Sequence, residues 1–277
     1  MIRGYAAEVD LTHPAVEIVV SGAAAEGVRA KDAKIEAELI ACDAWASREG
    51  LSLAVNANFF GWVRDGGGSV LGAEVIGLLV TDGEVVSGPR VTGEGPTKAG
   101  DPALVFDING RASVRAVAGV SEDERETVWD AVAGVGASGA EPGTLLVEGG
   151  KPTGETARVD PEKRHPRTAA GVNKDGTRLI LLVIDGRREG HSVGATLPEA
   201  ASILVERGAW AGLNLDGGGS SSFWYDPTPG ADGDEVKNRP SDGAFRPVAG
   251  LLGVKIRGRC GVVDGPGGDK PGGEKKE

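Results

Sequence analysis

Tight turns between apolar runs are the feature of this sequence that most limits its fold. Three times, a run of β-forming residues ends at a short glycine-containing turn, and a second such run follows at once. Glycine and asparagine adopt the left-handed backbone that hairpin turns need, so each segment predicts an antiparallel β-hairpin. The predicted hairpins span residues 75–86, 103–117 and 168–184, with turns at Asp82-Gly83, Asn109-Gly110 and Lys174-Asp175-Gly176.

Two helices are predicted beside the hairpins. Residues 32–49 carry apolar side chains at helical spacing, namely Ile35, Leu39, Cys42 and Trp45. Residues 197–207 begin with a capping box formed by Thr196 and Glu199. This second helix lies between the strand that ends at Ile184 and an apolar strand over 211–215, an order typical of a βαβ unit whose two strands pair in parallel.

These elements predict an α+β fold dominated by sheet. We expect a mixed β-sheet with several hairpins, a few helices packed on it and one βαβ unit near the active site. One domain is predicted over residues 1–263, and the Gly-, Pro- and charge-rich residues 264–277 are predicted to be disordered. The chain contains no 18-residue apolar run and no signal-like N-terminus, which predicts a cytoplasmic protein without membrane contact; a secreted protein trimmed of its signal is the alternative.

Charge and composition exclude several functions. The net charge of −11 argues against nucleic-acid binding, which needs a basic face, but a local arginine cluster can still hold a small anion. Cys42 and Cys260 are the only cysteines, and the three histidines are scattered, so neither a disulfide framework nor a zinc site is expected. We expect no cofactor, with a divalent cation as the alternative; the sequence fixes no oligomeric state.

Three glycines after Asp216 form a candidate binding turn. Gly217, Gly218 and Gly219 have no Cβ atoms, so their N–H groups can close around a ligand oxygen. The segment lacks the Gly-Lys-Ser/Thr ending of a nucleotide-binding P-loop and the G-x-S-x-G elbow of a serine hydrolase. A plain glycine-rich connection between strands is the alternative interpretation.

Other polar residues at predicted strand ends extend this site. Parallel pairing would bring Asp185 and Asp216 to one sheet edge, where ligands of parallel sheets bind, although Asp185 also suits a simple turn. Arg167 begins a buried strand, and its guanidinium can donate a bidentate pair of hydrogen bonds to phosphate. Asn56 and Asn58 carry the donors and acceptors that suit sugar hydroxyls, or are ordinary turn residues.

Six motifs occur in a fixed order over about residues 50–256. They are Asn56-Ala57-Asn58-Phe59-Phe60, Arg167-Thr168-Ala169-Ala170-Gly171, Asp185-Gly186-Arg187, Ser192-Val193-Gly194-Ala195-Thr196-Leu197, Asn214-Leu215-Asp216-Gly217-Gly218-Gly219-Ser220-Ser221 and Asn238-Arg239-Pro240. With them the chain resembles the phosphodiester glycosidase family, whose best-known member acts on N-acetylglucosamine 1-phosphodiesters. The resemblance implies hydrolysis of a small-molecule sugar phosphodiester to free sugar and a phosphomonoester. The cysteine-rich modules of that member are missing, which favours a compact bacterial-type relative.

The resemblance also implies roles for individual residues. Asp216 would be the acid/base or nucleophile, Asp185 its partner, and Arg167 the ligand of the phosphodiester. Substrate contacts are implied for a second set: Asn56, Asn58, Thr168, Gly217, Gly218, Gly219, Ser220, Ser221, Asn238 and Arg239.

Two other functions remain open at the level of sequence. One is a metal-assisted phosphodiesterase, in which Asp185 and Asp216 hold Mg²⁺ or Ca²⁺ and sugar 1-phosphate is released. The other is a carbohydrate-binding module without catalysis.

Overall fold

The computed structural model of the chain describes residues 1–92, 99–124, 127–134, 145–153, 159–229 and 235–257. Sheet dominates this part of the chain. The helices are α1 (Glu26–Arg29), α2 (Cys42–Glu49) and α3 (Leu197–Glu206). The strands are β1 (Gly4–Asp10), β2 (Val16–Val20), β3 (Leu53–Asn56), β4 (Phe59–Arg64), β5 (Val70–Ile76), β6 (Leu79–Thr81), β7 (Glu84–Ser87), β8 (Val91–Thr92), β9 (Ala99–Gly100), β10 (Pro102–Phe106), β11 (Ala112–Ala116), β12 (Asp130–Ala133), β13 (Val147–Glu148), β14 (Lys151–Pro152), β15 (Arg167–Val172), β16 (Arg178–Ile184), β17 (Ala211–Asn214), β18 (Phe223–Tyr225), β19 (Val236–Lys237) and β20 (Leu251–Ile256).

Three larger sheets form the body of the described structure. The first has the order β1-β16-β15-β17-β13-β14, the second β11-β10-β12-β6-β7 and the third β19-β18-β3-β20-β2. Apolar side chains from all three sheets meet in one buried cluster, which includes Val55, Leu104 and Leu181. Helix α3 packs on the first sheet through Leu197, and helix α2 packs on the third through Trp45.

The three predicted hairpins are confirmed, as is the sheet-dominated fold. They are β6–β7, β10–β11 and β15–β16, and each is antiparallel. Their turns contain residues with positive φ, including Gly83, Gly110 and Gly176. Turn chemistry therefore predicted these elements correctly, since the left-handed positions depend on the local sequence alone.

The helix predicted over 32–49 is wrong in its first half. Only Cys42–Glu49 is α-helical. Before it, Ala37 makes isolated bridges to Ala23 and Ala73, and the Glu36 N–H donates to the Ala73 carbonyl at 2.9 Å. The apolar residues of this segment also fit an alternation of two, and pairing with a neighbouring strand decides between the two periods.

The predictions of a mixed sheet and of parallel pairing between the strands that lead to Asp185 and Asp216 are also wrong. All strand pairs within the described residues are antiparallel, and β15 lies between β16 and β17. Because β16 and β17 are each antiparallel to β15, they still run in the same direction. Their carboxyl ends therefore reach the same edge of the sheet, beside the start of β15 at Arg167.

The predictions for the C-terminal tail and for the two cysteines concern other parts of the chain. The predicted tail over 264–277 and Cys260 lie outside the described residues. Cys42 is buried in α2. Burial raises the pKa of its thiol, as expected for a small apolar residue rather than a reactive one.

Candidate active site

The candidate site lies where the first and third sheets meet end to end. Strand β17 of the first sheet leads through Leu215 to Asp216, and β3 of the third sheet ends at Asn56. The Asp216 N–H donates to the Ala57 carbonyl at 2.9 Å, which joins the two strand ends. Asp216 is therefore held by a backbone hydrogen bond to the residue that follows a strand of a different sheet.

Asn56 is the side chain that closes this joint. It is buried, and its amide N–H donates to the Asp216 carbonyl at 2.6 Å. Its Oδ1 accepts from the Thr168 hydroxyl at 2.7 Å and from the Ser222 N–H at 2.9 Å. Asn56 and Thr168 thus bind protein groups behind Asp216 and do not line the cavity described below.

The three glycines allow close packing around Asp216. A Cβ on Gly217 would lie 2.8 Å from the Pro166 carbonyl oxygen. Gly218 has a φ of +62° and begins the 3₁₀ helix Gly218–Ser220. Gly219 lies directly beneath the Asp242–Arg246 ion pair, where a Cβ would collide with both side chains. The turn therefore needs glycine for close backbone contact at 217 and for conformation at 218, whereas at 219 the Asp242 and Arg246 side chains could move aside.

The Asp216 carboxyl has a raised pKa. Burial is the largest cause and raises the pKa to about 6. Hydrogen bonds from the Ser220 side chain and the Gly217 N–H, and the charge of Arg246, act in the opposite direction. A carboxyl with a pKa near 6 exchanges protons at neutral pH, as acid–base catalysis requires.

Asp216 opens into a cavity of about 420 Å³ with a basic wall. The lining residues are Phe59, Val159, Asp160, His165, Arg167, Arg187, Asn214, Asp216, Gly217 and Gly218. Two arginines and a histidine thus share the cavity with two carboxylates. Asn214 is 1% exposed, and its buried Oδ1 has no hydrogen-bond partner among the described residues.

Arg167 supplies charge to the cavity but has few free donors. It is 4% exposed, and its guanidinium donates four hydrogen bonds to backbone carbonyls. The acceptors are the carbonyls of Val159, Asp160, Lys163 and Ala195. Burial lowers the pKa of Arg167 to about 10, so the group stays charged at neutral pH. It makes no ion pair within the described part of the chain.

Arg187 and His165 lie beside it. Arg187 Nη2 donates to His165 Nδ1 at 3.2 Å, and His165 Nε2 lies 3.4 Å from Asp160 Oδ2. Burial is the main reason that the pKa of His165 lies below its usual range; the charges of Arg167 and Arg187 add to this, and Asp160 opposes it. Arg187 Nη1 lies 3.3 Å from the point where a Cβ of Gly218 would sit, which places the guanidinium beside the glycine turn.

Asp185 does not line the cavity. It is 1% exposed, and its Oδ1 accepts from the Asn238 amide at 2.9 Å and the Arg239 N–H at 3.1 Å, while Oδ2 lies 2.8 Å from His191 Nε2. Asn238 in turn donates to the Ser221 carbonyl at 3.1 Å. Asp185 therefore supports the glycine turn through Asn238.

Four further predicted residues also do not line the cavity. Ser220 and Ser221 are buried behind Asp216, and the Ser221 Oγ lacks a partner in the described residues. Asn58 is buried and donates to the Leu78 carbonyl at 3.0 Å, away from the cavity. The Arg239 side chain is exposed. Of the thirteen predicted site residues, Arg167, Asp216, Gly217 and Gly218 line the cavity.

Sequence reasoning assigned no role to six lining residues: Phe59, Val159, Asp160, His165, Arg187 and Asn214. Three of them belong to motifs already singled out: Phe59 to Asn56–Phe60, Arg187 to Asp185–Arg187 and Asn214 to Asn214–Ser221. Their chemistry pointed to the site, but their orientation depends on how the loops pack.

The donor set does not fit a metal centre. Within the described ranges, no group of three or more His, Cys, Asp or Glu side chains could hold a metal ion. Both Asp185 oxygens already have hydrogen-bond partners, and Asp185 does not share the cavity of Asp216. The pair proposed as ligands of Mg²⁺ or Ca²⁺ is therefore not arranged as one site.

Comparison with known families decides the classification of the chain. The model of the phosphodiester glycosidase family matches residues 49–255, which contain every lining residue. The chain belongs to the phosphodiester glycosidase family. A relative of this family member, the uncharacterized SPbeta prophage-derived protein YomE of Bacillus subtilis strain 168, is 31% identical over 210 residues. The match covers 75% of the chain but 28% of YomE, so the chain spans less than a third of that relative.

Solved structures share the fold of this glycosidase-family chain. The zebrafish N-acetylglucosamine-1-phosphodiester α-N-acetylglucosaminidase catalytic domain, auto-inhibited by its pro-peptide, superposes with a TM-score of 0.58 at 18% identity, over 92% of the chain and 78% of that domain. A putative exported protein of Burkholderia pseudomallei K96243 gives 0.55 at 18% identity, over 90% and 73%. A hypothetical protein of Synechocystis gives 0.53 at 16% identity, over 92% and 59%.

Two observations bear on the cellular location of the protein. In the described part of the chain, no helix is both long and apolar enough to span a bilayer. One of the structural neighbours is described as exported. The cytoplasmic location expected from the sequence therefore stays a prediction.

Proposed function

We propose that this chain hydrolyses the glycosidic bond of a sugar 1-phosphodiester, giving free sugar and a phosphomonoester. The observation that carries the proposal is that the Asp216 carboxyl and the guanidinium groups of Arg167 and Arg187 share one cavity. Membership of the phosphodiester glycosidase family supports it. The raised pKa of Asp216 supplies the group that moves a proton.

The charge of the cavity suits the change in charge of the substrate. A phosphodiester carries one negative charge, and the phosphomonoester that leaves carries up to two, because its second pKa is about 6. Arg167 and Arg187 would stabilise the charge that develops on the leaving phosphate. A leaving group of this low basicity needs little protonation, so the remaining requirement is an activated nucleophile.

Asp216 meets that requirement as a carboxylate. Its oxygen takes a proton from water while the water oxygen bonds to the anomeric carbon, and the bond from that carbon to the phosphate oxygen breaks with its electrons leaving on phosphate. Asn56, Asp185 and Asn238 would act behind the cavity by fixing the Asp216 turn, and Asn214 and Phe59 would contact the sugar.

Hydrolysis in ¹⁸O-water tests this proposal. The substrate would be the methyl phosphodiester of N-acetylglucosamine, followed by a panel of other sugars, with products analysed by mass spectrometry. Cleavage at the anomeric carbon leaves methyl phosphate without label, whereas attack on phosphorus places ¹⁸O in the phosphate product. The phosphate is the product to analyse, because the anomeric oxygen of a free sugar also exchanges with water. We expect methyl phosphate without label, equal rates with and without EDTA, and loss of turnover in Asp216→Asn but not in Asp175→Asn, an exposed turn residue.

The other outcomes are equally clear. Sugar 1-phosphate as product, lost on adding EDTA, would establish a metal-dependent phosphodiesterase instead. Binding of the whole panel without turnover, unchanged in Asp216→Asn, would establish a carbohydrate-binding module.

A further inference from the structure

Arg187 is held in an unfavourable backbone conformation at the cavity. Its φ is +56°, in the left-handed region that residues with a Cβ rarely adopt. Among the described residues, the non-glycine positions with positive φ are Asp82, Asp160 and Arg187, and the last two line the same cavity. Backbone strain of this kind collects where a side chain must be kept in a fixed place.

The surrounding backbone keeps Arg187 from relaxing. Gly186 packs against the residue that precedes β15. A Cβ at position 186 would lie 2.7 Å from the Pro166 nitrogen. Alongside, His165 and Ala195 exchange two backbone hydrogen bonds of 3.2 and 3.0 Å. The loop that carries Arg187 is therefore seated against the segment that carries His165.

The hydrogen bond between these two side chains fixes the state of the histidine. A guanidinium has donors only, so His165 Nδ1 must be the unprotonated acceptor in the 3.2 Å contact with Arg187 Nη2. The ring proton then belongs on Nε2, which faces Asp160 Oδ2 at 3.4 Å. The charged groups that act on the ring are Asp160, Arg167 and Arg187, and the net effect of burial and charge favours the neutral ring.

The guanidinium of Arg187 is thereby placed over the glycine turn. It approaches Gly218, two residues after Asp216, and makes no ion pair with a carboxylate of the described residues, although Asp242 is near enough to feel its charge. Arg167, by contrast, is already bonded to four carbonyls. Arg187 is therefore the arginine of this cavity with donors left for a ligand.

We infer that neutral His165 is a positioning residue, whose Nδ1 holds the Arg187 guanidinium over Gly218 so that Arg187 binds the phosphate group of the ligand. The nature of the ligand rests on the proposed function, but the binding of a phosphate group does not depend on turnover. Asp160 fixes the required tautomer by accepting from Nε2–H.

Calorimetric titration with inorganic phosphate tests the inference on wild type, His165→Leu and His165→Gln. Leucine removes the acceptor, and we expect about tenfold weaker binding, the loss typical of one hydrogen bond to a charged group. Glutamine restores an acceptor that cannot be protonated, and we expect most of the affinity to return. His13→Leu, at an exposed histidine, is the control, and thermal unfolding of each variant checks its folding.

A spectroscopic measurement tests the tautomer directly. We expect ¹⁵N NMR of the His165 ring at pH 7 to show protonated Nε2 and bare Nδ1, with the Nδ1 signal shifting in Arg187→Ala. A ring protonated on Nδ1, or a folded His165→Leu that binds phosphate like wild type, would overturn the inference. Phosphate binding that depends on His165, without hydrolysis of any diester, would overturn only the proposed function.

Discussion

The side-chain amide of Asn56 donates to the backbone carbonyl of Asp216 at 2.6 Å, across 160 residues of sequence. Through this contact the end of a strand in the third sheet sets the position of a carboxyl that follows a strand in the first. Two further hydrogen bonds, from Thr168 and Ser222, saturate the Asn56 oxygen. The asparagine is therefore part of the frame that orients Asp216.

Replacing Asn56 by alanine should damage both stability and activity. Three hydrogen bonds of a buried side chain disappear, and at about 1 kcal/mol each the free energy of unfolding should fall by about 3 kcal/mol. Urea denaturation measures this change, with Asn109→Ala at an exposed turn as the control. A loss below about 0.5 kcal/mol would show that the joint between the sheets does not depend on this side chain.

Replacing Asp216 by asparagine should abolish turnover and stabilise the fold. Loss of the acid–base group should lower kcat by about 10²- to 10⁴-fold. Because the folded pKa of about 6 is above the unfolded value, the native state favours the protonated carboxyl, and the associated stability is lost as pH rises from 3.8 through 6. Asparagine mimics the neutral form, so at pH 8 the variant should gain on the order of 1–3 kcal/mol. Thermal unfolding at pH 8 that shows a less stable variant would contradict this sign.

The pH dependence of hydrolysis should report the same carboxyl. If Asp216 acts as a carboxylate, kcat/KM should rise with pH through about 6 and level off above it, since the diester itself does not titrate there. This rise of kcat/KM with pH should persist in His165→Gln, which removes the neighbouring titrating ring. A rate that falls above pH 6 would instead mean that Asp216 donates a proton.

Substitutions at Arg187 should separate backbone strain from function. Glycine tolerates the φ of +56° and alanine does not, so Arg187→Gly should be more stable than Arg187→Ala by about 1 kcal/mol. Both should bind a phosphodiester more weakly than wild type, whereas Arg29→Ala on the exposed side of α1 should not. Equal stability of the glycine and alanine variants in urea would argue against strain at this position.

Substitution of Arg167, unlike substitution of Arg187, should act mainly on the stability of the fold. Its four hydrogen bonds to carbonyls hold the segment 159–163 and the residue before the α3 cap, so Arg167→Ala should lower the free energy of unfolding by about 3 kcal/mol or more. Arg167→Lys should recover little, since an ammonium cannot span four acceptors. A stable Arg167→Ala with weakened phosphate binding alone would assign Arg167 to the ligand rather than to the frame.

The sequence by itself determined the features that depend on neighbouring residues. Turn residues set the three hairpins, and Thr196 with Glu199 set the start of α3, where both bonds of the capping box are present. The ordered motifs also led to the family, because each keeps its residue types within a short segment. The helix expected over 32–49 failed where pairing of Ala37 with strands elsewhere overrode a local periodicity.

Only the tertiary structure decided what the polar site residues do. Asn56, Arg167 and Asp185 are suitable in type for contact with a substrate, yet their hydrogen bonds go to protein groups. His165 and Arg187, 22 residues apart, become partners because the loops that carry them pack together. A polar side chain takes whichever partner the fold brings within about 3 Å, and that partner is set by the packing of sheets and loops rather than by the residues beside it in sequence.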